Sequence, residues 1–356
     1  WNWKAGGTAP VKTYVVKVVS DSGNKYRFDD FAASAQTVDL QEGGTYTFDQ
    51  SDSSNSGHPL RFSTTSNGSH GGGSEYTTGV TTYGSPGSSG AYTKITVAAS
   101  TATLYYYCTA HSGMGGQINT NSTSGSSYFD GAVKSTVSAN QAAGFSIVTW
   151  TSNNSNTDTI PHGLGVAPEI IFYKVRSGSG GNWNIWTTAI DGSNDYLLLT
   201  SSAKGDVSSA YSSPSSTGIR SWGFTGSPSM LAYCFVSKPG FSKIGTYVGN
   251  GSVNGTFVNT GFKPAWVMYK KATGSNYGNL GRWTIMDNKR DPDNETTHGL
   301  FASTNAAENT GQDYWDIDML SNGFKLKATE HETNDNGATF LYMAFAESPF
   351  KYANAR

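Results

Sequence analysis

Short motifs recur at one spacing in the second half of the chain, and that recurrence constrains the fold more than any other feature. Gly144-Phe-Ser-Ile147 matches Gly240-Phe-Ser-Lys243, Gly165-Val-Ala-Pro168 matches Gly261-Phe-Lys-Pro264, and Tyr173-Lys174 matches Tyr269-Lys270, each 96 residues apart. Further on the offset grows. Trp183-Asn-Ile185 matches Trp283-Thr-Ile285 at 100 residues, and Tyr233-Cys-Phe235 resembles Met343-Ala-Phe345 at 110. An offset that grows through loop-like segments while strand-like ones keep step describes a duplicated unit with insertions in its second copy. Each copy is about 100 residues long, the size of one β-sandwich.

Composition says which kind of unit is duplicated. Glycine is abundant at 43 of 356 residues, aromatics make up 13%, and the strong helix formers Leu, Glu and Lys are sparse. Such a chain suits short strands joined by tight turns, so the expected class is all-β. Lys and Arg number 24 against 26 Asp and Glu, for a net charge of −2, and no basic run occurs. That balance argues against a nucleic-acid partner. No apolar run approaches the ~18 residues of a membrane-spanning helix, so membrane insertion is not expected. Two cysteines cannot build a disulfide framework. No G-x-S-x-G, H-E-x-x-H, phosphate-binding glycine loop or recognisable acid pair is present, so the reading is non-enzymatic with no catalytic residues.

Residues 1–11 read as the end of an upstream domain or a linker, and the chain, which starts at Trp1, as mature or partial. Alternating runs then begin at Lys12–Val19, Thr45–Asp49, Leu60–Thr64, Tyr92–Ala98 and Thr103–Cys108, each bounded by Gly, Ser, Asn or Asp. They define a first domain over 12–118. Residues 119–129, polar and rich in Gly and Ser, are expected to be a linker. The two copies of the repeat then occupy 130–239 and 240–356 as β-sandwich units.

Within the first domain, Cys108-Thr-Ala-His111-Ser-Gly-Met114 closes a predicted strand and enters a glycine-rich turn, and Gly57-His58-Pro59 opens another strand fifty residues earlier. Two imidazoles, one thiolate and one thioether form the donor set of a trigonal His2Cys copper centre with a weak axial Met. Soft sulfur selects copper over magnesium or calcium. On these residues, 12–118 resembles the cupredoxins, and the Cys-x2-His-x2-Met loop is similar to that of amicyanin-type blue copper proteins. The resemblance implies a Greek-key β-barrel with copper as cofactor, His58 and His111 as imidazole ligands, Cys108 as thiolate and Met114 as axial ligand. Two departures stand out: Pro59 follows His58, and the loop Ser66–Gly73 carries a spare His70 able to compete for the metal. Without a metal, Cys108 is a small buried hydrophobe and the histidines satisfy backbone groups.

Other candidates read as structural. His162 belongs to a turn, His298 and His331 to polar loops, and Cys234 to a core strand between Tyr233 and Phe235. Asp287, Asp291, Asp293 and Glu295 set hard oxygens near one another as calcium would need. Lys289 and Arg290 interrupt them, and the loop reads as solvated. Trp183, Trp186, Trp222, Trp266, Trp283 and Trp315 could stack on sugars; at the matched positions Trp183 and Trp283, packing is the favoured role. No ligand-binding residue outside the metal set is assigned.

Residues 130–356 resemble a module of virion proteins in marine tailed bacteriophages. The motifs are Ala143-Gly-Phe-Ser-Ile147, His162-Gly-Leu-Gly-Val-Ala-Pro168, Gly261-Phe-Lys-Pro-Ala-Trp266, Leu320-Ser-Asn-Gly-Phe-Lys325 and Met343-Ala-Phe-Ala-Glu-Ser-Pro-Phe350, with Trp3-Lys-Ala-Gly-Gly7 at the start. The resemblance implies a virion-surface fibre, spike or decoration subunit among other virion proteins, with host-surface glycan as a contact. Low charge and many aromatics add the expectation of a homo-oligomer, a trimer by preference. The alternative is a secreted bacterial copper-binding protein, or an extracellular filament subunit, with carbohydrate-binding β-domains.

Overall fold

Nine strands come first: β1 (Val11–Ser20), β2 (Asn24–Phe28), β3 (Val38–Gln41), β4 (Thr45–Asp49), β5 (Leu60–Ser63), β6 (Val80–Tyr83), β7 (Tyr92–Thr96), β8 (Leu104–Cys108) and β9 (Gly116–Asn121). The computed structural model describes residues 9–349 apart from 124, 178–180, 200–203, 207–212, 221–225, 275–281 and 309–313. The Trp3–Gly7 motif, Trp222 and the chain end from Phe350 lie outside the described residues. The chain is all-β, with 44% strand and, among the described residues, no helix of seven residues or more. No helix among the described residues is long and apolar enough to cross a membrane.

Period-two alternation explains the first strands. β1 buries Tyr14 and Val16 while Thr13 and Val15 face out, and β4 buries Tyr46 and Phe48 in the same way. One sheet has the order β2-β1-β4-β7-β6, with β1 parallel to β4; the other has the order β3-β9-β8-β5, with β3 parallel to β9. Parallel neighbours cannot be joined by a hairpin, so the chain crosses repeatedly between the sheets. Tyr14, Phe28, Phe48, Leu40, Phe62, Tyr106, Cys108 and Ile118 share the core.

The expected linker over 119–129 is instead part of this fold. β9 runs through Asn121, β10 (Ser126–Tyr128) follows, and Phe129 is 1% exposed in the same core. The small polar residues fit between tyrosine hydroxyls: Ser126 Oγ meets Tyr46 Oη at 2.6 Å, and Tyr14 Oη donates to the Ser127 carbonyl at 2.9 Å. A serine-rich stretch therefore reads as linker by composition yet satisfies buried phenols, which need partners.

β11 (Ser135–Asn140) pairs with β10. The first copy of the repeat then contains β12 (Phe145–Thr151), β13 (Thr159–Pro161), β14 (Ile170–Val175), β15 (Asn184–Thr187), β16 (Asp195–Leu198), β17 (Gly205–Asp206), β18 (Gly218–Arg220) and β19 (Ser229–Phe235). The second contains β20 (Ser242–Val248), β21 (Phe257–Asn259), β22 (Pro264–Lys271), β23 (Thr284–Asp287), β24 (Leu300–Phe301), β25 (Ile317–Leu320), β26 (Gly323–Leu326) and β27 (Thr339–Ala346). Two compact units result, but their edges do not follow the boundaries read from sequence. Residues 1–141, 146–165 and 217–227 form one, and 142–145, 166–216 and 228–356 the other.

Within the second unit, β19-β14-β15-β16 and β27-β22-β23-β24 are ordered alike. Ile171 lies opposite Cys234 and Trp186, and Val267 lies opposite Ala344 and Met286. These positions differ by 96, 110 and 100 residues, the same offsets that relate the sequence motifs. The short pair β13 with β18 likewise corresponds to β21 with β26. The sheets also differ at their edges: β12 continues to β11 and β10 and β16 to β17, whereas β20 and β24 are edge strands among the described residues. Matched residues also touch each other. Phe235 and Phe345 have ring centroids 6.2 Å apart, flanked by Phe145 at 4.6 Å from Phe235 and Phe241 at 5.9 Å from Phe345. A further core gathers Tyr247, Val267, Tyr269, Trp315, Ile317, Phe324 and Phe340.

Candidate metal centre

Strand pairing brings the candidate ligands together. β8 ends at Cys108, which lies opposite Leu60 of β5, so His58, two residues before Leu60, reaches the same sheet end. The chain then turns: the Thr109 amide donates to the Pro59 carbonyl at 3.1 Å, and His111 follows in the loop. Cys108 Sγ lies 3.9 Å from His58 Nδ1 and 3.7 Å from His111 Nδ1, and all three donor atoms fall within 4.8 Å of one another. Cys108 is fully buried, His58 half-buried and His111 exposed. Gly115 lets the loop fold back onto β8, because a Cβ there would stand 1.7 Å from the Tyr106 carbonyl oxygen.

His58 is held through its backbone. Its carbonyl accepts from Tyr26 Oη at 2.8 Å and from Gln50 Nε2 at 2.9 Å, while its amide donates to the Asn55 carbonyl at 2.8 Å. Tyr26 also reaches the other ligand segment, its amide donating to the Met114 carbonyl at 3.0 Å. The Lys25 ammonium donates to the Gly113 carbonyl. One strand, β2, thus ties both ligand-bearing loops together.

Burial, and next the neighbouring His111 imidazole, lower the pKa of His58. Its ring is therefore neutral at neutral pH and offers a lone pair. Burial, and then the adjacent Cys108 sulfur, push the Tyr26 phenol far above its usual value, so it stays a donor to His58.

Do these residues fit a metal? A thiolate bond of about 2.3 Å and an imidazole bond of about 2.0 Å, opened to about 120°, put sulfur and nitrogen roughly 3.7 Å apart. The two observed sulfur–nitrogen separations are 3.7 and 3.9 Å, so each imidazole Nδ1 stands at the distance from the Cys108 sulfur that a shared ion requires. Met114, the fourth residue named from sequence, is 1% exposed in the core cluster that contains Cys108.

His70 does not join the donor group. Its Nε2 donates to the Cys108 carbonyl at 3.1 Å, which corrects its reading as a competing ligand. The remaining candidates have structural partners. His162 is fully buried, and its Nδ1 accepts the Leu164 amide at 3.3 Å. Asp287 binds Arg290 at 2.7 Å, Asp291 accepts the Thr297 amide at 2.7 Å, and Glu295 pairs with Lys327 at 2.6 Å, so the acidic loop serves the chain's own donors. His298 lends its carbonyl to Arg290, and His331 Nδ1 meets Asp335 at 2.8 Å. Trp186, Trp266, Trp283 and Trp315 are buried, Trp183 half-buried. The supporting residues Tyr26, Gln50 and Asn55 carry no motif, and nothing in sequence pointed to them.

A family model matches residues 119–349, described as Domain of unknown function (DUF7483). The chain belongs to that family. The matched stretch covers well over half the chain and includes 130–239 and most of 240–356, while His58, Cys108, His111 and Met114 precede it. Neither the curated proteins nor the solved structures gave a match.

Proposed function

We propose that the chain is a non-enzymatic structural protein whose N-terminal sandwich is a cupredoxin-like, copper-binding domain. The observation that carries this reading is the convergence of His58 Nδ1 and His111 Nδ1 on Cys108 Sγ, at 3.9 and 3.7 Å, at one end of a two-sheet sandwich. A thiolate with two imidazoles favours copper over hard cations, and Met114 is the weak axial donor in this proposal. Copper bound there supplies a one-electron couple. The chain's own residues seal Cys108 from water, keep His58 neutral, and fix both loops through Tyr26. Titration of the metal-free protein with Cu(II) tests the proposal. One ion per chain with intense visible absorption is expected; a wild-type chain without stoichiometric binding overturns it.

The wider role in this proposal is a virion-surface subunit, a fibre, spike or decoration protein that assembles as a trimer with other virion proteins and contacts host-surface glycan. Its support is the alike strand order of the two matched sheets and a chain with few charges, 14% of residues. Light scattering of the isolated chain and electron micrographs of the native assembly test it. A monomer without symmetric partners in the particle overturns the assembly role.

A further inference from the structure

Between β5 and β6 the chain forms a tight loop that touches the ligand segment at successive points. Asn67 has φ 61°, in the left-handed region that Asn tolerates better than most residues. From that position its side chain works in both directions: Nδ2 donates to Ser112 Oγ at 2.8 Å, and Oδ1 accepts the Gly113 amide at 2.8 Å. Gly68, φ 55°, lies against the Tyr107 ring so closely that a Cβ would meet it at 2.5 Å. His70 Nε2 donates to the Cys108 carbonyl at 3.1 Å. The loop is braced internally, with Gly73 N bonded to the Gly68 carbonyl at 3.0 Å and His70 N to the Asn67 carbonyl at 3.2 Å.

The contacts fall at meaningful places. Ser112 and Gly113 are the two residues between His111 and Met114, so pinning them fixes both ends of the loop that carries two of the ligands. The Cys108 carbonyl anchors its start. Ordering a free loop costs conformational entropy at every residue, a cost that would otherwise fall on metal binding.

We infer that residues 66–73 are a preformed outer clamp, with Asn67 and His70 as positioning residues that hold Cys108–Met114 in its metal-binding shape before any metal arrives. This inference rests on the reading of His58, Cys108 and His111 as ligands.

Asn67→Gly keeps the left-handed backbone and deletes both side-chain bonds, and His70→Ala deletes the third. In metal-free protein, amide exchange over 109–114 should quicken at least tenfold in Asn67→Gly, with little change in the strands. Copper affinity should fall roughly 10–100-fold, as for other losses of support behind a ligand, with a shifted charge-transfer band. His70→Gln, which retains an N–H donor, should recover most of the His70→Ala loss. If Asn67→Gly unfolds the sandwich, Asn67→Asp, which keeps the acceptor for Gly113 and loses the donor to Ser112, takes its place and should still quicken exchange over 109–114 relative to wild type. Wild-type exchange over 109–114 together with wild-type copper affinity overturns the clamp. A wild-type chain that takes up no copper overturns the metal reading instead, and exchange in the metal-free protein still decides whether the loop is held.

Discussion

Cys108 and Cys234 are the chain's two cysteines; neither is disulfide-bonded, and both are fully buried. Their surroundings differ. Cys108 is the last residue of β8, where two histidines from neighbouring segments meet its sulfur. Cys234 lies within β19 opposite Ile171, and the matched position of the second copy is Ala344, opposite Val267. A site where one copy holds Cys and the other Ala, on the same register, asks only for a small apolar side chain. Burial alone does not make a cysteine a ligand. What separates the two regions is strand position: chemistry gathers at a strand end, where loops add donors, while strand middles are committed to packing.

Substituting both cysteines gives the largest expected contrast. Cys108→Ser should abolish the visible absorption of copper-loaded protein and remove stoichiometric binding, read by titration and metal analysis. Cys234→Ala should keep one copper per chain and cost only about 1 kcal/mol of stability in denaturant unfolding, because the fold already accepts Ala at the matched site. Loss of copper binding in Cys234→Ala would break the contrast.

The repeat offers a second contrast inside one unit. Lys174 stands 5.9 Å from the Trp183 ring centroid, and the matched Lys270 stands 5.8 Å from that of Trp283. The pairing persists, yet Trp183 is half-buried whereas Trp283 is sealed, with Nε1 donating to the Leu198 carbonyl at 3.2 Å and its ring 6.3 Å from Phe172. Trp283→Ala should therefore cost about 3–5 kcal/mol, as for a fully buried aromatic, and Trp183→Ala on the order of 1 kcal/mol. Equal losses, measured by chemical unfolding, would mean that the two copies bury this position alike.

These contrasts separate what the residues foretold from what they could not. The alike strand order was legible because the paired registers follow the offsets 96, 100 and 110 that the sequence motifs show. His58, Cys108 and His111 were legible because rare residue types stood at strand ends. Phe129 was not: a single phenylalanine after a serine-rich stretch looks like a linker end, and only the tyrosine hydroxyls that bind Ser126 and Ser127 reveal a packed strand. The role of His70 was hidden for a similar reason. An imidazole near a donor group can bind a metal or a carbonyl, and the choice depends on loop geometry that spacing does not encode.

Lys270 carries the third prediction. It is fully buried, and burial lowers its pKa to about 8, with a smaller opposing pull from Glu332. An unfolded lysine titrates near 10.4. Between those values the unfolded chain binds the extra proton, so stability rises with pH across that window. Below about pH 8 both states are charged, and the full burial cost is present. Relative to Lys270→Met, wild type should gain on the order of 2 kcal/mol between pH 8 and 10. Comparing the pair cancels buried tyrosines such as Tyr247, whose raised pKa acts in the opposite direction at higher pH. Parallel curves for the two proteins would show that Lys270 keeps its proton.

The smallest expected effect probes the aromatic contact between the matched positions. Phe235 and Phe345 sit at matched positions, 6.2 Å apart with an interplanar angle of 66°, an edge-on arrangement in which the positive rim of one ring meets the face of the other. Each also contacts the phenylalanine of its own copy's opening motif, Phe145 or Phe241. If the four rings form one continuous array, Phe235→Leu and Phe345→Leu should not add independently. A double-mutant cycle should give a coupling of about 0.5–1.5 kcal/mol, the usual worth of an aromatic pair beyond its buried area. Phe145→Leu with Phe241→Leu is the control, since no direct contact joins those rings and their cycle should close to within about 0.5 kcal/mol. Leucine is chosen over alanine so that lost ring geometry, rather than a large cavity, dominates the signal. Coupling in the control but not in the central pair would place the energetic junction of the two copies elsewhere, and the shared registers would then reflect common ancestry alone.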